Sequence, residues 1–153
     1  MPLANNTLVL VTDGRKTLFF RNEGDVNQID LRTESHDERE DAKDSEMKTD
    51  APGAIGQSAG YSGRVAYEET DFHQLEEDRF AADTAEMLKM RALRNEFREL
   101  IVVAPPRALG ELRKHFHKVV ESRIIGEIAK DFANRPTDEI EQLIGGSETR
   151  GSA

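Results

Sequence analysis

The sequence predicts a single α/β domain built on one mixed sheet. Three observations carry that expectation. Residues Leu100 to Phe132 read as strand, helix, strand, an order that implies a parallel pair joined by a right-handed crossover. Short β-prone runs linked by a glycine turn open the chain. Between the two lies a long helical segment with small residues on one face.

Taken in order, Thr7 to Thr12 (TLVLVT) and Thr17 to Arg21 (TLFFR) are apolar, β-prone runs. Asp13-Gly14 between them is a hairpin signal, because glycine accepts positive φ. Val26 to Arg32 (VNQIDLR) alternates as a third strand after a turn over Asn22 to Asp25, completing an antiparallel meander. Residues 33–63 are expected to form a long, mostly disordered loop. Its first half is acidic with almost no large apolar side chain, and its second half is small and glycine-rich (APGAIGQSAGYSG), so it buries too little to offset its ordering entropy.

A helix follows over residues 71–97. Ala81, Ala85, Leu88 and Ala92 recur on one face and allow close approach to a sheet, while Met87, Met90, Leu93 and Phe97 add apolar surface. Leu100 to Ala104 is the fourth strand. The next helix has Pro106 near its first position, where the missing N–H costs nothing, and a stripe of Leu109, Leu112, Phe116 and Val119. Ile124 to Ala129 is the last strand. Thr137 is placed to cap a helix over Asp138 to Ile144, with acids in its first turn. The domain thus spans 1–144, and 145–153 form a disordered tail. The order β-β-β-α-β-α-β-α, with helices on the faces of a mixed sheet, is the ribonuclease H-like order.

A chain of 153 residues fits one domain with a real core. It has no cysteine, which removes disulfides, thiolate nucleophiles and zinc–sulfur sites. The opening MPLANNTLVLVTDG lacks a basic n-region, and its apolar run is too short for a signal peptide or a membrane span. A cytoplasmic protein without membrane contact is the expectation. The net charge of −9 argues against general nucleic-acid binding. That charge is unevenly distributed: eight acids against Arg79 alone lie between Glu68 and Glu86, whereas basic residues outnumber acids from Arg98 to Arg135.

The ribonuclease H-like order invites a two-metal nuclease, which needs carboxylates converging from the first strand, the first helix and the fourth strand. Asp13 and Asp83 or Glu86 qualify, but the fourth strand ends in Ala104-Pro105-Pro106, and Asp13 is explained by its turn. His115 and His117 could ligate one metal from a strand, but two apart on a helix they point about 200° apart, so two solvated or partly packed histidines are expected. No metal or cofactor is implied. Arg107, Lys114 and Lys118 align opposite the apolar stripe as a basic ridge for phosphates, extended by Arg113, Arg123 and Lys130. The bland account is a salt-bridged surface, with Glu111 in reach of Arg107 and Lys114, and Glu121 of Lys118.

VAPPRALGELRKHF followed by IIGEIAKDF resembles the bacterial host attachment protein family, described as required for attachment to host cells; VTDGRKTLFF and RFAADTAEML fit it as well. That family is similar to the middle domain of archaeal and eukaryotic peptide chain release factors and of the ribosome-rescue factor Pelota. The resemblance implies a release-factor-middle-domain-like fold and action on ribosomes. In release factors a Gly-Gly-Gln loop tip promotes hydrolysis of peptidyl-tRNA. Here Gly56-Gln57-Ser58 resembles the end of that motif, but Ile55 stands where the first glycine would be, removing backbone freedom. The hydrolase activity is therefore not carried over. The preferred reading is a non-catalytic, translation-associated protein that binds ribosome or tRNA, with the basic ridge on phosphate. Its rival is an acidic protein-interaction or regulatory module, dimeric through the loop or helix 71–97 and linked to host or surface attachment. A third reading is an ester hydrolase acting on peptidyl-tRNA through Gly56 and Gln57.

Overall fold

A computed structural model describes residues 2–38 and 62–146, with side chains over 2–34 and 72–146. Its strands are β1 (Leu8–Thr12), β2 (Lys16–Asn22), β3 (Leu31–Glu38), β4 (Leu100–Ala104) and β5 (Ile124–Ala129). Its helices are α1 (Ser62–Leu93), α2 (Pro106–His115), α3 (Lys118–Glu121) and α4 (Thr137–Gly145). The strands form one mixed sheet ordered β3-β2-β1-β4-β5. β1 pairs antiparallel with β2 and parallel with β4; β3 is antiparallel to β2, and β5 parallel to β4.

Two apolar layers hold the sheet. On one face, Leu8, Leu10, Phe19, Leu100 and Val102 meet the small-residue stripe of α1 and Leu109, Leu112 and Phe116 of the α2 segment. Ala81, Ala85, Leu88 and Ala92 are all buried there, as their spacing predicts. On the other face, Val9, Val11, Ile101 and Val103 meet Ile140 and Ile144 of α4, with Leu3 and Ala133 closing the edges. Both faces of β1 and β4 are covered, which explains why those strands are uninterrupted apolar runs.

The third strand lies further along than Val26 to Arg32. Residues 25–28 form a turn instead: Asp25 Oδ1 accepts from the amides of Asn27 (2.9 Å) and Gln28 (3.0 Å). Gly24 is required before it, since a Cβ there would lie 2.0 Å from the Gln28 carbonyl oxygen. β3 then runs through a polar sequence without alternation, held by backbone pairing to β2. Of the expected loop over 33–63, residues 33–38 thus belong to β3 and Ser62 begins α1; the rest, with Gly56 and Gln57, lies outside the described residues.

The long helix also starts and stops earlier than residues 71–97. It ends where Asn95 takes φ 57°, with the Glu96 amide donating to the Arg91 carbonyl at 2.9 Å, a left-handed C-terminal cap. A further correction concerns the helix after β4, which is not continuous. Phe116 is extended at its end, and His117 restarts the chain by accepting the Val119 amide on Nδ1 at 3.0 Å. Val120 is consequently the fully buried residue, with Val119 only half-buried. α4 begins after Pro136, so Thr137 makes no side-chain cap, and it runs through Gly145, one residue past the expected end of the domain.

Candidate functional site

β1, β4 and β5 run in the same direction, and their carboxyl ends gather three turns on one side of the sheet. The first is Asp13–Lys16. Asp13 Oδ1 accepts from the amides of Arg15 (2.8 Å) and Lys16 (3.0 Å), and Thr12 Oγ1 accepts from the Gly14 amide at 3.0 Å. Gly14 sits at φ +95°, and a Cβ there would stand 3.6 Å from Ala108 Cβ. The hairpin turn therefore rests on the start of α2. The second turn is Pro105–Arg107 after β4, and the third follows β5 at Lys130.

Between the first two turns and α1 lies a cavity of about 260 Å³. Phe80, Ala81, Pro105, Ala108 and Leu112 supply apolar wall; Asp13, Arg15, Glu77, Arg107 and Glu111 are its charged lining. Arg107 Nε lies 2.9 Å from Glu77 Oε2, and Arg107 Nη2 donates to Gln74 at 3.0 Å. Glu77 Oε2 is enclosed, with the Arg107 guanidinium as its counter-charge. Open α/β sheets bind ligands at this end, outside the carboxyl termini of their strands.

The six basic residues expected to contact phosphate do not form one surface. Arg107 and Lys130 lie at the carboxyl ends of β4 and β5. Arg123 precedes β5 and lies at the opposite end, roughly 20 Å away at the rise of a six-residue strand. There it donates to the Phe97 carbonyl at 2.6 Å and stands over the Phe97 ring at 5.9 Å. Arg113 pairs with Glu127 of β5 at 3.2 Å, and Lys114 with Glu111 at 3.2 Å. The break after His115 takes Lys118 off the helix that carries Arg107 and Lys114. Lys118 and Lys130 are exposed, and neither makes an ion pair among the described residues.

The two histidines also part company. His115 Nε2 lies 3.0 Å from Asp78 on α1, while His117 is spent on its cap. Among the described residues no three histidine or carboxylate side chains converge as a metal site. No helix there is long and apolar enough to cross a membrane.

The profile of bacterial archaeo-eukaryotic release factor family 12 matches residues 6–144, which includes every strand and the last helix to within a residue. The chain belongs to that family. No curated protein matches it. In this member of family 12, the cations missed by sequence reasoning are Arg15, Lys16 and Arg135. Lys16 Nζ donates to Asn134, and Arg135 stacks 5.5 Å from the Phe132 ring and pairs with Glu139. The usable signal was position, since each lies within a few residues of a parallel strand's carboxyl end. Glu77 was missed because its partner Arg107 is thirty positions away and on another helix.

Proposed function

We propose that this family 12 protein is a non-catalytic, cytoplasmic, translation-associated factor that binds ribosomal or transfer RNA. Membership of a release-factor-like family over residues 6–144 carries this reading. The distribution of cations supports it. Arg15, Lys16, Lys130 and Arg135 come from the stretches that follow β1 and β5 at the carboxyl ends of the parallel strands, with Arg135 paired to Glu139; Arg107, Arg113 and Lys114 of α2 are paired with Glu77, Glu127 and Glu111. The fold reading that accompanies it is a ribonuclease H-like, release-factor-middle-domain-like topology. A protein with net charge −9 reaches RNA through such a local patch, so binding falls steeply with salt. Any attachment phenotype then follows indirectly, through which proteins are made.

Co-sedimentation with ribosomes at low and high salt tests the proposal. The expected result is association at low salt that is lost at high salt, and that is lost at both when Arg15, Lys16 and Lys130 are changed together to Glu. Absence of association at low salt, or binding indifferent to the triple change, overturns it.

A further inference from the structure

We propose that the outer face of α1 docks a second copy of this chain, paired antiparallel about a two-fold axis beside Ala82. None of the cations assigned to RNA lies on α1, so the surface is independent of the RNA reading. Leu75, Met90 and Leu93 are three of the four large apolar side chains exposed among the described residues. Scattered singly they would need no partner, but all three stand on one helix. Ala81, Ala85, Leu88 and Ala92 turn the inner face of α1 to the sheet. On the opposite face Leu75, Arg79, Ala82, Glu86, Met90 and Leu93 recur every three or four positions, the spacing of a helix seam. From Phe72, half-buried at one end, to Leu93 at the other, the face is about 32 Å long at the helical rise.

The order along this face chooses the occupant. Read from either end it is the same in kind: apolar, charged, small, charged, apolar. A two-fold axis between Ala82 and Asp83 sets Leu75 against the partner's Met90 and Phe72 against the partner's Leu93. It also sets Arg79 against the partner's Glu86, and each contact occurs twice, as an isologous interface requires. Parallel pairing would instead set Arg79 on the partner's Arg79 and Glu86 on the partner's Glu86, juxtaposing like charges. Only the antiparallel register matches both the apolar ends and the charged middle. Ala82 beside the axis holds the helices apart by no more than a methyl group. The pairs within α1, Arg79 with Glu76 at 3.4 Å and Glu86 with Lys89 at 4.0 Å, are long, and Arg79 and Glu86 are exposed. Such pairs contribute little, so both charges can be shared across the axis. Charges in a helix seam fix register and orientation at a cost in affinity, which makes this a reversible dimer.

Sedimentation equilibrium of the whole chain, from about 1 μM to about 1 mM, tests the proposal together with three variants. The unmodified chain is expected to be monomeric at the low end and dimeric at the high end. Arg79→Glu and Glu86→Arg each strike the interface twice, and each is expected to weaken association about ten-fold or more. An equimolar mixture of those two variants is expected to recover it, because an acidic middle then meets a basic one. A chain carrying both changes is also expected to recover it, since the pair is reversed rather than lost. A chain that stays monomeric throughout overturns the proposal. So does a dimer indifferent to the single changes, which belongs to another surface. A double variant no tighter than the singles overturns it as well, because the two positions then do not meet. Both sites are exposed in the monomer, so the variants should keep the parent's unfolding midpoint, and the mass of the unmodified chain tests the proposal without them.

Discussion

Arg21 of β2 and Glu34 of β3 face each other across the sheet edge, with Arg21 Nε donating to Glu34 Oε2 at 2.8 Å. The second Glu34 oxygen accepts from Arg91 at the end of α1, and Arg91 Nε donates in turn to Glu96 at 2.9 Å. Arg91 also lies 5.0 Å from the Phe19 ring centroid. One carboxylate thus ties a polar edge strand to the helix that covers the sheet. Burial alone would push the Glu34 carboxyl up, but hydrogen bonds and charge from Arg91 and Arg21 outweigh it and hold the group below its ordinary value near 4.5. A lowered folded-state value means that this stability is present above the ordinary glutamate range and is lost as pH falls through the folded value. Glu34→Gln is therefore expected to cost about 1–2 kcal/mol at neutral pH, a range discounted for partial exposure. Urea midpoints of the two proteins should converge only as the pH falls through the lowered folded-state value, and a gap that stays constant through the acid range contradicts the assignment.

That carboxylate also shows why β3 was not legible in the sequence. Periodicity reports which side chains are buried, and LRTESHDE buries only Leu31 among its described side chains. The strand exists through backbone pairing and an ion pair to a residue 57 positions away, neither of which leaves a local pattern. β4 and β5 could be read to the residue because burial dictated every position of LIVVA and alternate positions of IIGEIA. The basic ridge failed for a related reason. A helix drawn through His115 and Lys118 assumes that Phe116 continues it, and propensity does not reveal that His117 caps a new turn. The cavity was invisible because its lining comes from three separate stretches of chain.

Asn22 is fully buried and uses every arm of its carboxamide. Nδ2 donates to the carbonyls of Leu3 (3.0 Å) and Ala4 (3.2 Å), and Oδ1 accepts from the amides of Gly24 (3.0 Å) and Asp30 (2.9 Å). It joins the N-terminal segment to the turn that sets the start of β3. Asn22→Ala strands three backbone groups, the Leu3 carbonyl and the Gly24 and Asp30 amides, while the Ala4 carbonyl keeps its bonds from Thr7, and the expected loss is about 3 kcal/mol in urea unfolding. Amide exchange should accelerate first at Gly24 and Asp30. A variant that is stable and fully protected there contradicts this role.

Ala85 sits on α1 against the sheet at 3% exposure, where closeness depends on a methyl side chain. Ala85→Leu forces the helix off β1 and β4 and is expected to cost about 1–3 kcal/mol by overpacking. Leu88→Ala, at 0% exposure on the same face, is expected to cost about 2–5 kcal/mol by opening a cavity. Thermal unfolding measures both. A neutral Ala85→Leu would mean that the helix is not seated as closely as its small residues allow.

Arg123 and Lys130 bracket β5 and separate structural from functional charge. Arg123 is committed to the Phe97 carbonyl and ring at the amino end of the strand, while Lys130 is exposed at the carboxyl end beside the cavity turns. Arg123→Ala leaves that carbonyl without its charged donor and is expected to lower stability by about 1–3 kcal/mol. It should leave ribosome association and its salt slope unchanged. Lys130→Ala is expected to do the reverse, keeping the unfolding midpoint within about 0.5 kcal/mol while reducing the salt slope by about one. Paired measurements of unfolding and of co-sedimentation across a salt series decide the matter. Should Arg123→Ala flatten the slope and Lys130→Ala leave it intact, the RNA-facing surface belongs at the amino end of the sheet, and the carboxyl-end assignment is wrong.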